Sequence, residues 1–185
     1  MELLPLVGIA VLVGYGIIIY NGLVKARQMA NEAWSGIDIQ LKRRANLIPN
    51  LVETVKAYAT HENDTFSEVT QLRNQAQAVA PTDIEGRSIA ESLLGQALGR
   101  LMVVSEAYPD LKASENFQGL QNSLEDLETE IQMSRRYYNG AARDLNIRVE
   151  SFPSNLVAKQ FNFNQMDYFE LENPQDKEVP DVNFG

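Results

Sequence analysis

The sequence predicts an all-α protein: an N-terminal single transmembrane helix followed by an elongated antiparallel helical bundle of about four long helices. Three observations predict it. Residues 3–20, LLPLVGIAVLVGYGIIIY, carry no charge. From Phe117 to Leu145 the stripe residues recur at alternating steps of three and four, the spacing of a helix face and of a sustained heptad. Gly and Pro are sparse between residues 23 and 108, where Leu, Ala, Glu, Gln and Asn recur, so the turn punctuation of an all-β chain is missing.

The uncharged run is long enough to span ~27 Å as a helix, the threshold for crossing a bilayer. A cleaved signal peptide would open on a basic region and close on a small-x-small site. This segment opens on Glu2 and exits through IIIYNGLVKAR, so an uncleaved anchor is expected over residues 1–22. No Lys or Arg precedes it, whereas Lys25 and Arg27 follow closely and Lys42, Arg43 and Arg44 lie just beyond. The positive-inside rule then puts the N-terminus outside and the bulk of the chain in the cytoplasm. Tyr20 suits an interfacial depth, and Ala10 and Gly14 make a small-xxx-small pair that permits close helix contact.

Residues 23–168 are expected to form the bundle. In its first helix Ala30, Trp34, Ile37, Leu41 and Ile48 share a stripe, with Arg44 at the position where an apolar residue should stand. Pro49 removes a backbone donor and disfavours helical geometry before it. A kink or short break at 46–49 follows, with Asn46 as a cap for the next helix. That second helix continues through Val52, Val55, Ala59, Phe66, Val69, Ala76 and Val79 to APTD at 80–83. A third, from about Gly86 to Pro109, presents Ile89, Leu93, Ala97, Leu101, Val104 and Tyr108. The fourth covers 113–151 with Phe117, Leu120, Leu124, Leu127, Ile131, Ser134, Tyr138, Ala141 and Leu145 on its stripe. A short helix capped by Ser154 is expected to dock Phe161 and Phe163. Residues 169–185, rich in acids and prolines, read as an acidic flexible tail.

Composition excludes several activities. The chain of 185 residues has no cysteine and a net charge of −9, so it offers no disulfide, no thiolate and no basic face for nucleic acid. Charge is uneven: residues 22–56 hold six basic and three acidic groups, while 61–185 hold ten and twenty-one. A basic segment next to the span suits an anionic leaflet. The single histidine, His61, lacks the second ligand of an HExxH site, and Gly95 and Gly99 lack the Lys-Ser/Thr of a phosphate loop. The Glu125–Glu128 and Glu128–Glu130 pairs read as a solvated or ion-paired face. No catalytic residue, cofactor or metal site is expected.

Two long blocks carry a resemblance. NGLVKARQMANEAWSGIDIQLKRRANLIPNLVETVKAYATHE (21–62), with the apolar run ahead of it, resembles the signature of the LemA family. ENFQGLQNSLEDLETEIQMSRRYYNGAARDLNIRVESFPSNLVAKQFNF (115–163) is similar to that family's second block. The resemblance implies a bacterial single-pass protein of the inner membrane with a long helical bundle, in a family without an established enzymatic activity. Trp34, Asp38, Gln40, Lys42, Arg43, Arg44, Asn46, Pro49 and Asn50 match the first block. Arg135, Arg136, Tyr137, Tyr138, Asn139 and Asn146 match the second. Their expected roles are structural: the cations before Pro49 should meet carboxylates of the fourth helix, within one bundle or across a subunit contact. Arg44 is foremost, since a cation on an apolar stripe must find a partner.

Two functions fit. One is a membrane-anchored, non-enzymatic scaffold that self-associates into a homo-oligomer on the lipid bilayer. The other is an adaptor or regulatory subunit of another membrane protein, such as a metallopeptidase.

Overall fold

A computed structural model describes residues 3–170, with side chains from residue 6 onward. Helix α1 runs Leu3–Lys56, α2 Asn63–Ala78, α3 Ile84–Glu106, α4 Pro109–Lys112, α5 Glu115–Glu150 and α6 Ser154–Gln160. The protein is all-α, with four long helices and no strand among the described residues. The tail beyond residue 170 lies outside the described residues. Of the described helices, α1 alone is long and apolar enough to cross a membrane, with a mean hydropathy of 2.0 over its best window.

The chain divides into two compact units. The first takes α1 up to Ile37 together with residues 133–168; the second takes residues 38–132 and the chain from Phe169. In the first unit α1 and α5 run antiparallel, since Gly22 lies beside Arg148 and Trp34 beside Tyr138. The expected α1 stripe is buried here at Ala30 and Ile37, and so are Tyr138, Ala141 and Leu145 of the α5 heptad. Helix α6 folds back so that Ala158 and Phe163 pack on Leu23.

In the second unit α2 and α3 form an antiparallel hairpin whose flank is tied by Arg100 to Glu68 at 2.6 Å. Its core joins Leu51 and Val55 of α1, Phe66 and Val69 of α2, Leu94 and Leu101 of α3, and Phe117 of α5. The Asp83 side chain caps α3, accepting from the Gly86 N–H at 2.8 Å. Such a cap contributes about 1 kcal/mol. A Cβ at position 86 would collide with the Asp83 carboxylate, so glycine keeps the cap in place.

Several expectations are corrected. Pro49 does not break α1, which continues to Lys56. The lost Pro49 N–H would have bonded the Ala45 carbonyl, and Arg73 Nε of α2 donates to that carbonyl at 2.7 Å instead. Asn46 is consequently an exposed mid-helix residue and caps nothing. The apolar pattern from Val52 to Val79 belongs to two helices, with α1 ending at Lys56 and a turn carrying His61. Folding back lets Val55 and Phe66 face one core. On α3 the expected stripe holds at Ala97 and Leu101, which are buried, but not in the first turns, where Ile89 and Leu93 are exposed while Arg87, Ser88 and Glu91 are buried. Finally, Ser154 begins α6 without capping it, its hydroxyl donating to the Ser151 carbonyl at 2.9 Å. Of the two aromatics expected to dock, Phe163 is buried and Phe161 is exposed.

Candidate functional site

The second unit buries charge. Arg44 sits on the core side of α1 because the helical period that buries Leu41 and Ile48 leaves it facing inward. Its Nη2 donates to Glu91 Oε2 of α3 at 2.6 Å and its Nη1 to Glu128 Oε2 of α5 at 2.9 Å. Arg87, one turn before Glu91, donates from Nε to Glu91 Oε1 at 3.1 Å and from Nη2 to Asp38 Oδ1 at 3.4 Å. Lys42 closes the series on Asp38 Oδ2 at 2.5 Å. Three cations and three carboxylates thus alternate across α1, α3 and α5.

Glu91 is the centre of this cluster. It is buried with both oxygens held by guanidinium groups, so its desolvation is offset from two sides. Removing one member of a buried ion pair costs about 3–5 kcal/mol, because the other charge is left without compensation. Glu128 is half-exposed and also accepts from Gln132 at 2.8 Å. Arg44 Nε has no acceptor among the described residues. With its carboxylates engaged by cations, the cluster is built to hold three helices in register. Among the described residues, no group of three or more His, Cys, Asp or Glu converges to hold a metal ion.

The first unit uses neutral groups. Tyr138 is fully buried against the Trp34 ring, with centroids 5.4 Å apart, and its hydroxyl donates to the Asp167 carbonyl at 2.6 Å. Burial, and secondarily the Asp167 carboxylate, push the phenol far above its usual value. Asn146 brackets Met166: its Nδ2 donates to the Met166 carbonyl at 2.9 Å, and its Oδ1 accepts from the Met166 N–H at 2.8 Å. An extended segment that lacks a sheet partner thereby has its backbone groups satisfied.

The family model that matches this chain is the LemA family, over residues 33–184. The chain belongs to the LemA family. It is similar to the magnetosome protein MamQ of Magnetospirillum gryphiswaldense, 25% identical over 81% of this chain and 64% of that protein. It is also similar to protein LemA of Metamycoplasma hominis, 28% identical over 81% of this chain and 68% of that protein. The chain therefore spans about two thirds of these relatives' length. Neither relative bears the name of an enzyme.

The LemA-like residues separate by unit. Trp34 and Tyr138 meet in the first, where Asn146 adds the Met166 clamp. Asp38, Lys42 and Arg44 join the ionic cluster of the second. Arg43 points elsewhere, bonding Gln40 at 3.1 Å and lining an open groove of about 630 Å³ with Asn46, Asp126 and Glu130. Arg136 and Tyr137 are exposed, and Arg135 is half-buried. Asn50 is exposed, its carbonyl accepting from Thr54, and Asn139 is half-buried. Sequence reasoning passed over Arg87, Glu91 and Arg73. A signal for the first two exists: Arg87, Glu91, Leu94, Leu98 and Leu101 follow the same three–four spacing, and Glu91 is the complement that Arg44 requires.

Proposed function

We propose that this LemA-family protein is a membrane-anchored, non-enzymatic helical scaffold that self-associates at the bacterial inner membrane, with its bulk in the cytoplasm. The observation that carries the reading is the outer face of α3. Ile89 and Val103 are 58% and 73% exposed on one side of the helix, together with Leu93. On the flank of that face Gly99 has nothing within 4 Å of the place where a Cβ would stand. A face that presents exposed apolar side chains at heptad spacing suits a second copy of the same chain. Gln96 and Arg100 lie within it, between Leu93 and Val103, and Arg100 is engaged with Glu68. The uncharged segment of α1 supports the anchor, and Lys25 and Arg27 beyond it support the orientation.

The test is the mass of the full-length protein in mild detergent, by mass photometry with particle imaging, beside Leu93→Arg. A discrete homo-oligomer that collapses to monomers in the variant supports the scaffold. A monomer or dimer that carries a distinct membrane polypeptide, such as a metallopeptidase, would replace it with the adaptor reading.

A further inference from the structure

We propose that α6 and its flanking turns form a collar that lies in the interfacial layer of the bilayer around the exit of α1. This rests on the anchor reading above and adds a second lipid contact, made by the far end of the bundle sequence.

Depth is the first argument. About twenty helical residues cover the ~30 Å hydrocarbon core, so a span beginning at Leu3 leaves it near Gly22. Burial of α1 begins at this same level: residues 6–18 are exposed or half-buried, and Ile19, Leu23 and Val24 pack against Val157, Ala158 and Phe163. Tyr20, at the boundary, meets the Phe161 ring edge-on at 4.8 Å and the Phe163 ring at 5.7 Å. Arg148 Nη1 lies 3.1 Å from the place of a Cβ on Gly22. Because α5 runs antiparallel to α1 and ends at Glu150, the turn that carries Phe152 follows the end of α5 that faces the span.

Exposure is the second. Phe152 is 79% exposed, more than any other large apolar side chain among the described residues, and Leu156 and Phe161 are 61% and 55% exposed. Three such groups at one end of a unit need a non-aqueous contact. Aromatic and aliphatic groups at the depth of the span's end have one in the headgroup–acyl boundary.

Charge is the third. Residues 17–30 and 144–165 hold four cations, Lys25, Arg27, Arg148 and Lys159, against two carboxylates, Asp144 and Glu150. Glu150 is bonded by Gln165, and Arg27 lies over the Phe163 ring at 4.7 Å. Cations flanking an aromatic belt match anionic lipid headgroups.

The chain has no cysteine, so single probes can be placed in the full-length protein. NBD would be attached at Phe152→Cys, Leu156→Cys, Leu12→Cys and Ile89→Cys, and each variant reconstituted in phosphatidylcholine–phosphatidylglycerol vesicles. Lipids brominated high or low in the acyl chain then report depth. The collar predicts loss of fluorescence at 152 and 156 with the shallow bromines, loss at 12 with the deep ones, and none at 89. If 152 and 156 stay as bright as 89 while 12 is quenched, the collar is wrong and the anchor stands. A blue-shifted but unquenched signal at 152 and 156 would mean a protein contact and also overturns it. If 12 too is unquenched, the anchor reading fails and takes the collar with it.

Discussion

The two units bury polar groups by different means, although both draw on α1 and α5. Up to Ile37 the interior is apolar, and its polar members, Tyr138 and Asn146, spend their hydrogen bonds on the backbone of residues 166–167. From Asp38 onward the interior holds Arg44, Arg87 and Glu91, which pair with one another. The lesson concerns cost. A neutral clamp forfeits a hydrogen bond or two when broken, whereas a charge cluster leaves bare ions in a medium that solvates them poorly.

Glu91→Gln should show the contrast at its largest, lowering stability by about 3–5 kcal/mol as Arg44 and Arg87 lose their shared carboxylate. Urea denaturation followed by circular dichroism would measure it. A loss under ~1 kcal/mol, the range of exposed ion pairs, would erase the distinction between the units. Arg44→Leu should cost less than Glu91→Gln, because Glu91 keeps Arg87 and Glu128 keeps Gln132. Parity of Arg44→Leu with wild type in stability and in oligomer size would remove the cluster's structural role.

Next in size is Asn146→Ala in the first unit. It frees one donor and one acceptor of Met166 and should cost about 1–3 kcal/mol, with proteolysis of the chain near residue 166 as a local readout.

Arg73→Met should cost about 1 kcal/mol or somewhat more by orphaning the Ala45 carbonyl. Adding Pro49→Ala should recover most of that, since the restored N–H reaches the same carbonyl. Thermal melts of the two single variants and the double variant form the cycle, and additive effects would show that Arg73 does not serve Pro49.

The smallest effect is a pH dependence. The phenol of Tyr138 ionises less readily in the folded chain than its ordinary value of 10.0, so the native state retains a proton that the unfolded state loses. Its contribution is complete below pH 10 and declines as pH rises further. Tyr138→Phe should flatten that alkaline decline, and a slope equal to wild type would count against the assignment.

Much of the fold was legible because periodicity survives in one dimension. The Phe117–Leu145 heptad and the Ala30–Ile48 stripe both appear as buried faces, Arg44 included. The candidate site was legible from one side only. Arg44 announced itself by interrupting an apolar stripe. Glu91 did not, because Ile89 and Leu93 offered α3 a more apolar face than the one it buries.

The sequence by itself determined that the chain is helical, where its apolar span lies, and that a cation must be accommodated inside the bundle. Each of these follows from spacing and composition within a single segment. Tertiary structure alone decided which face of α3 turns inward, which carboxylates receive Arg44, and that α1 passes through Pro49 unbroken. Those outcomes depend on groups 28, 47 and 84 residues apart meeting in space: Arg73 with Ala45, Arg44 with Glu91, and Arg44 with Glu128. A charge or an orphaned carbonyl has a favourable place in a core only once its partner is there, and local sequence pattern does not encode that proximity.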